Sequence, residues 1–420
     1  MKRFFLKKKK GSALQTALFI AVIVLLLLTS FITLTYTHIY FAKITERKTE
    51  LTDRVAEGMR YAQYRSIPYN EPTVMYSEEE SSKELVLTKN HWGVFDVIQS
   101  YATIQKDSKK RTALFGGTSN SSDRKAIYLT DRNAPLVLVG STKIKGNVAL
   151  PERGVKPGSI KGKYYQGEKL IEGTISRSKP ELPQIASEKV NYLKELFKYV
   201  PDVSEEGRLD NSQHLERSFG ASTQWLYKRG IVDLKDVSIR GNVVVKSDTL
   251  VRIRRNSDLQ NIIVIAPYID VDVGFSGTIQ VLASQKITVQ PKANLSYPSS
   301  LIFLQSDEEK KNDYPLISLK ERTKFEGVLI ALGRDGFISL DDYVEIKNQS
   351  SVIGEVYSEF PVFHKGTVSG SIYTNAFLDK AQGSTYINHL YDGDVMSVLP
   401  DKFAGLPIKN QSLSLAKWVD

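Results

Sequence analysis

Val352-Ile353-Gly354-Glu355-Val356 and Val368-Ser369-Gly370-Ser371-Ile372 share one spelling: apolar, any, Gly, any, apolar. It occurs again in Ile144–Val148, Ile160–Tyr164, Ile239–Val243, Phe275–Ile279 and Phe325–Leu329, centred on Gly146, Gly162, Gly241, Gly277 and Gly327. In an extended chain alternate side chains share a face, so both apolar residues and the glycine between them point the same way. A glycine inside a strand marks a bulge, a bend or the close approach of another backbone. Gly146 to Gly162 and Gly354 to Gly370 are equally spaced, and the intervening separations are longer and irregular, as loop insertions make them. One such strand cannot bury its apolar face alone; stacked copies can. The repeat predicts a mainly β protein built as a right-handed parallel β-helix, a solenoid.

Outward from these units the pattern continues. Ile262–Ile265, Ile269-x-Val271, Ile287-x-Val289, Leu301–Leu304, Val328–Leu332, Phe337–Leu340 and Val344-x-Ile346 are short apolar runs with turn residues between them. A β-sandwich also places strands at close intervals, but its strands rarely share a glycine-centred unit, so the solenoid is the preferred reading. Leu85–Leu87, Val94–Ile104, Ala126–Leu129 and Leu136–Val139 predict strands nearer the N-terminus. Gly116–Asp123 reads as a polar loop, because the spelling of a phosphate-cradling loop is missing. Pro180 and Pro183 interrupt the series. A helix marked by Val190, Leu193, Leu196, Phe197 and Val200 then stops at Pro201, and Ser204–Ser218 reads as loop or helix.

Gly11 to Ala42 contains no charged side chain, and Lys2, Arg3 and Lys7–Lys10 precede it. That length of apolar chain suffices for a helix to cross a bilayer, and flanking lysines stay on the cytoplasmic side. A cleaved signal is the alternative, but its apolar core is shorter and ends at a small-x-small site. Retention as an anchor is therefore expected. Beyond it, Ile44, Leu51, Val55, Met59 and Ala62 fall on one helical stripe, ending before Pro68. The expected division is a cytoplasmic basic leader 1–11, a transmembrane helix 12–42 and a helical stem 43–68. A β lobe 69–178, a helical insert 179–230, a β-solenoid 231–378 and a C-terminal cap 379–420 follow.

Lys10-Gly11-Ser12-Ala13, with the apolar run behind it, resembles a type IV prepilin, in which a basic leader ends in Gly and precedes a long apolar helix. The resemblance covers roughly the first 65 residues and implies processing between Gly11 and Ser12. Ser12 replaces the usual aromatic or Met, and Thr16 stands where such pilins usually carry Glu. The Ile-x-Gly-x-Val units of the C-terminal half resemble the polymer-forming bactofilin β-helices; that similarity carries no functional residues.

The chain of 420 residues has no cysteine, which excludes disulfides and thiolate metal sites. Its net charge of +10 owes much to the six basic residues before Gly11, so the remainder gives little support to nucleic-acid binding. His38, His91, His214, His364 and His389 share no zinc-binding spacing, and no nucleophile elbow occurs. Asp270 and Asp272 share a strand face, with Asp341-Asp342 as a second acidic pair. Carboxyls two apart on a strand suit the separation a glycosidase needs, yet acids on a solvated face are also ordinary. Asp307–Lys311 mixes signs and reads as a solvated loop. The expectation is a single-pass membrane protein with its bulk extracytoplasmic, without cofactor or metal, and with no enzymatic activity. Its role is structural, adhesive or in envelope assembly, with a minor-pilin-like subunit as one form. Membrane lipid, a homo-oligomer or other envelope or pilus proteins are the expected partners. The rival is a membrane-tethered polysaccharide lyase or hydrolase using the acids at Asp270 and Asp272.

Overall fold

The computed structural model describes residues 12–76, 83–118, 124–201, 214–305, 315–333, 340–381 and 383–419. Gly11, the leader 1–11 and the charged run 307–311 lie outside these residues, as do parts of the loops expected at 116–123 and 204–218 and most of the strand expected at 337–340. The fold is mainly β, with a long apolar helix at the N-terminal side. Two compact units divide it. One draws on Met1–Gly58, Val74–Val86 and Tyr101–Lys110, the other on Met59–Thr73, Leu87–Ser100 and Arg111–Asp420.

In the first unit, helix α1 begins at Ser12 and continues without a break toward its end at Tyr64. No proline interrupts it. Its apolar half is bare: Leu14 is 77% exposed, and Leu18 to Phe41 are open in the same way. Thr29, Thr33, Thr35 and Thr37 donate their hydroxyls to carbonyls one turn back, at 2.7–3.0 Å. The stretch therefore presents few unpaired polar groups, which is what a lipid environment requires. Charged residues enter from Lys43, and the stripe read from the sequence turns inward at Leu51 and Val55. Arg47 reaches Asp107 at 3.4 Å and Gln105 at 3.2 Å, and Lys109 donates to Thr52 at 2.6 Å. These ties hold the stem helix to the turn at Gln105, whose φ is positive.

Strands β1 (Thr73–Tyr76), β2 (Lys83–Trp92), β3 (Phe95–Ile104) and β4 (Asp107–Thr118) lie side by side in chain order, and Ala404–Gly405 and Leu413–Trp418 both pair with β4. Gly116 and Gly117, read from sequence as loop, are strand. A Cβ on Gly117 would lie 1.9 Å from the Leu406 carbonyl oxygen, so the glycine serves a close approach of two backbones.

The second unit holds two large parallel sheets, and from Ser238 to Thr374 the chain passes repeatedly between them. One runs through Ser238–Gly241, Asp258–Ile265, Ser276–Ala283, Asn294–Leu304, Lys324–Leu332, Ser351–Ser358 and Thr367–Thr374. The other runs from Ile231–Leu234 to Val362–His364. The first continues past Thr374 into β5 (Lys125–Leu129), Asn147–Leu150 and Ile175–Arg177. Segments read as a separate lobe and as the repeat region thus share one sheet.

The glycine units stack in register. Phe325, Val352, Val368, Val395 and Ile144 form one column. Leu329, Val356, Ile372, Ile127 and Val148 form another. Between them run Ser299, Gly327, Gly354 and Gly370. The two halves of the last strand part company at Gly370: Thr367–Ser369 pairs with Asp394–Met396, while Ile372–Thr374 pairs with β5. A glycine stands where the strand divides between neighbours. Two of the other units depart from this register. Gly162 sits in the turn of an antiparallel pair. Gly277 takes the place of an apolar side chain, opposite Leu295, and the ring of Phe275 fills the gap.

Two apolar clusters flank the first sheet. Alternate residues such as Val245, Val264, Val281, Leu301, Leu329 and Val356 face one of them. Val244, Ile263, Leu282, Ile302, Val328 and Tyr357 face the other, under Trp92, Phe95, Leu114, Leu193 and Leu406. Strands buried on both faces read as continuous apolar runs, and those buried on one face alternate. The second sheet is of the alternating kind, with Ile269, Val271, Ile287 and Val289 inward.

Candidate functional site

Helix α2 (Ser187–Lys198) lies in the covering layer. Lys189, Leu193 and Leu196 form its buried stripe. The first of these is a cation, 3% exposed, and it meets Asp96, 4% exposed, from β3. Lys189 Nζ donates to Asp96 Oδ1 at 2.5 Å, to the Phe95 carbonyl at 2.9 Å, and stands 3.0 Å from His91 Nδ1. Asp96 Oδ2 accepts from the Tyr69 hydroxyl at 3.0 Å and lies 3.4 Å from Lys89 Nζ. The His91 ring is stacked between Tyr69, 3.7 Å away, and Tyr192, 4.4 Å away.

The electrostatics follow from burial. Loss of water alone would raise the Asp96 carboxyl, but Lys189, His91 and Lys89 outweigh it and hold the group well below the usual carboxylate range. Burial pulls Lys189 below an ordinary lysine in spite of Asp96. It also pulls His91 down, against the pull of Asp96 and with the help of Lys189. Burial first, then Asp96, pushes the Tyr69 hydroxyl up. Lys189 Nζ is bonded to Asp96 and to the Phe95 carbonyl and both Asp96 oxygens are occupied, so this knot fastens α2 to β3.

Clefts open beside the knot. One of about 630 Å³ is lined by Tyr64, Tyr69, Lys89, Asp96, Lys189 and Asn410, among others. Another, of about 590 Å³, is lined by His91, Trp92, Tyr192, Phe219 and Trp225 together with amide and carboxylate side chains. Lys246 fixes the far end of α2. Its ammonium donates to the carbonyls of Phe197, at 2.5 Å, and Tyr199, and burial draws it down to about 8.

The acids singled out from sequence lie elsewhere. Asp270 is on the second sheet, half-buried, its Oδ1 accepting from Gln290 Nε2 at 2.9 Å. Asp272 follows the strand end and accepts from the Val273 amide at 2.9 Å. Asp341 is exposed beside Asp342, whose carboxyl burial pushes up. Ser12 is the first residue of α1. The histidines are dispersed. His38 is exposed on α1 and His214 on a strand. His389 Nδ1 lies 2.8 Å from the Ile387 carbonyl, and His364 is buried with Nε2 3.0 Å from the Asp394 carbonyl. Among the described residues no group of three or more His, Cys, Asp or Glu is placed to hold a metal ion.

Tyr69, Asp96 and the α2 residues Lys189 and Tyr192 are not legible as a cluster from spacing, since they come from three separate segments. Two local signals exist: a lone carboxylate within Val94-Phe95-Asp96-Val97-Ile98, and a lysine in phase with Leu193 and Leu196. Both set a charge where the pattern calls for an apolar side chain.

No protein-family model matches the chain. No curated protein matches it either. Among solved structures, the competence-associated pilin ComZ from Thermus thermophilus is similar over 89% of this chain and 95% of its own, at 10% identity and a TM-score of 0.26, a likeness too distant to carry an argument.

Proposed function

We propose that the chain is a single-pass membrane protein whose extracytoplasmic part is a right-handed parallel β-solenoid with a structural, adhesive or envelope-assembly role. A minor-pilin-like subunit is its specific form. The observation that carries this reading is α1. Its apolar half is bare along its length, and the same unbroken helix then becomes charged on its outer faces and buried on one stripe. An apolar helix of that length suits lipid, where all its backbone groups are paired internally, and Lys7–Lys10 before it favour a cytoplasmic N-terminus. The solenoid is supported by the in-register glycine column and by the alternation of the chain between two parallel sheets. A non-catalytic role is supported by the mutual pairing of Lys189 and Asp96 and by the ordinary partners of Asp270 and Asp272.

Fractionation tests the anchor. The full chain is expected to resist alkaline extraction from membranes, and deletion of 12–42 is expected to release it; a soluble full chain overturns the reading. Intact-mass measurement of the native N-terminus tests the pilin-like form, which requires cleavage between Gly11 and Ser12. Glycan turnover lost in Asp270→Asn or Asp272→Asn would overturn the non-catalytic role.

A further inference from the structure

We propose that the cleft between α2, the end of β2 and the segment Phe219–Trp225 is a binding site for an uncharged oligosaccharide. His91, Trp92, Tyr192, Phe219 and Trp225 bring aromatic surface to a space of about 590 Å³. Asn70, Asn90, Asn191, Glu188 and Glu195 stand at the same cleft. A sugar ring has faces of C–H groups and a rim of hydroxyls, so it matches aromatic walls with a few convergent polar groups.

Local structure supplies the polar rim. On α2, Glu188, Asn191 and Glu195 recur at helical spacing, on a stripe different from that of the buried Lys189, Leu193 and Leu196. All three are exposed and make no hydrogen bond or ion pair with another described side chain. Across the cleft, Asn242 is already committed, accepting from Thr223 at 3.0 Å and donating to the Ala221 carbonyl at 2.8 Å, which fixes the shape of the Ala221–Thr223 turn. Trp92 adds a second, independent sign. It is buried, its ring meets Phe219 edge-on at 5.1 Å, and its indole N–H has no hydrogen-bond partner. A buried donor without a partner is rare in a folded chain.

Charge selects among ligands. The lining contains two carboxylates and neither Lys nor Arg, and burial lowers the His91 imidazole from its ordinary value. Anionic polymers are disfavoured there, whereas hydroxyl donors suit the carboxylates and amides. The site stands whether or not the chain is anchored as proposed, because none of its residues belongs to α1.

The test uses the full chain in lipid nanodiscs, titrated with N-acetylglucosamine tetramer and cellotetraose as uncharged probes and with oligogalacturonate as the acidic one. The chain has three tryptophans, two of which line this cleft, so intrinsic fluorescence reads occupancy. A saturable response to an uncharged probe is expected, with Asn191→Ala and Glu195→Ala each raising Kd at least tenfold. Both positions are exposed on the helix, so these variants are expected to unfold with the parent's denaturation profile. Trp225→Ala is expected to abolish the response. No saturable response at millimolar uncharged probe, an unchanged Kd in both helix variants, or tighter binding of oligogalacturonate overturns the proposal. Failure of the membrane fractionation would leave this result untouched, and the reverse also holds.

Discussion

A methyl group on Gly354 would sit 1.8 Å from the Gly327 carbonyl oxygen, and one on Gly370 would sit 1.8 Å from that of Gly354. Both residues also have positive φ, +153° and +142°. Neither the backbone below nor the dihedral can yield without moving a rung, so Gly354→Ala is expected to cost about 3 kcal/mol or more. Gly162 has positive φ but open space around the same direction, and its alanine variant is expected to cost about 1 kcal/mol. Denaturant unfolding of the two variants checks the contrast. Asp96 offers a second comparison. Its removal leaves the Lys189 ammonium buried without a counter-charge, so Asp96→Ala is expected to cost about 3–5 kcal/mol. Combining Asp96→Leu with Lys189→Met is expected to restore most of that loss, because an apolar pair of similar volume suits the same site.

At the scale of elements, the apolar runs carry more information than their length. Ile262–Ile265 and Leu301–Leu304 are continuous because a covering layer lies on their outer side, and Ile269-x-Val271 alternates because its outer side is less covered. That distinction is readable in the sequence, whereas the composition of the cover is not. The few polar residues inside the continuous runs are the pegs on which the cover hangs. Gln280 accepts from the Val94 amide at 2.9 Å and donates to the Trp92 carbonyl at 2.9 Å. Glu355 accepts from the Leu406 amide at 2.7 Å, and Lys246 holds the end of α2. Their partners lie far away in sequence, and no local period encodes such pairs. Lys246→Ala is expected to fray the last turn of α2 and to cost about 1–2 kcal/mol, seen as faster amide exchange at Leu196–Lys198. His364, on the second sheet, supplies a pH dependence. Burial holds it down to about 4 from its ordinary 6.5. Between those values the unfolded chain binds a proton that the folded chain does not, so stability falls as pH is lowered through that window. The loss amounts to about 3 kcal/mol. Unfolding measured from pH 7 to pH 4 is expected to show this slope, and His364→Leu is expected to flatten it.

At the scale of the molecule, the helix Ser12–Tyr64 and a mainly β body rich in parallel pairs are legible from the apolar run and the glycine units. The spelling misleads in two places. Ile160–Tyr164 is a turn between antiparallel strands, and Phe275–Ile279 is shifted in register. A five-residue pattern fixes which side chains share a face but not which neighbour a strand takes. The order of neighbours is the larger surprise. Thr367–Thr374 is flanked by Ser351–Ser358 on one side and by β5 on the other.

That adjacency has a bearing on biosynthesis. A polypeptide leaving the ribosome exposes Lys125–Leu129 long before its lateral neighbour at Ile372–Thr374 exists. Residues 125–177 must then wait, with one edge unsatisfied, until Ile372–Thr374 has emerged. A nonsense codon shortly before Thr367 would therefore strip the early strands of their docking edge as surely as it removes the late ones.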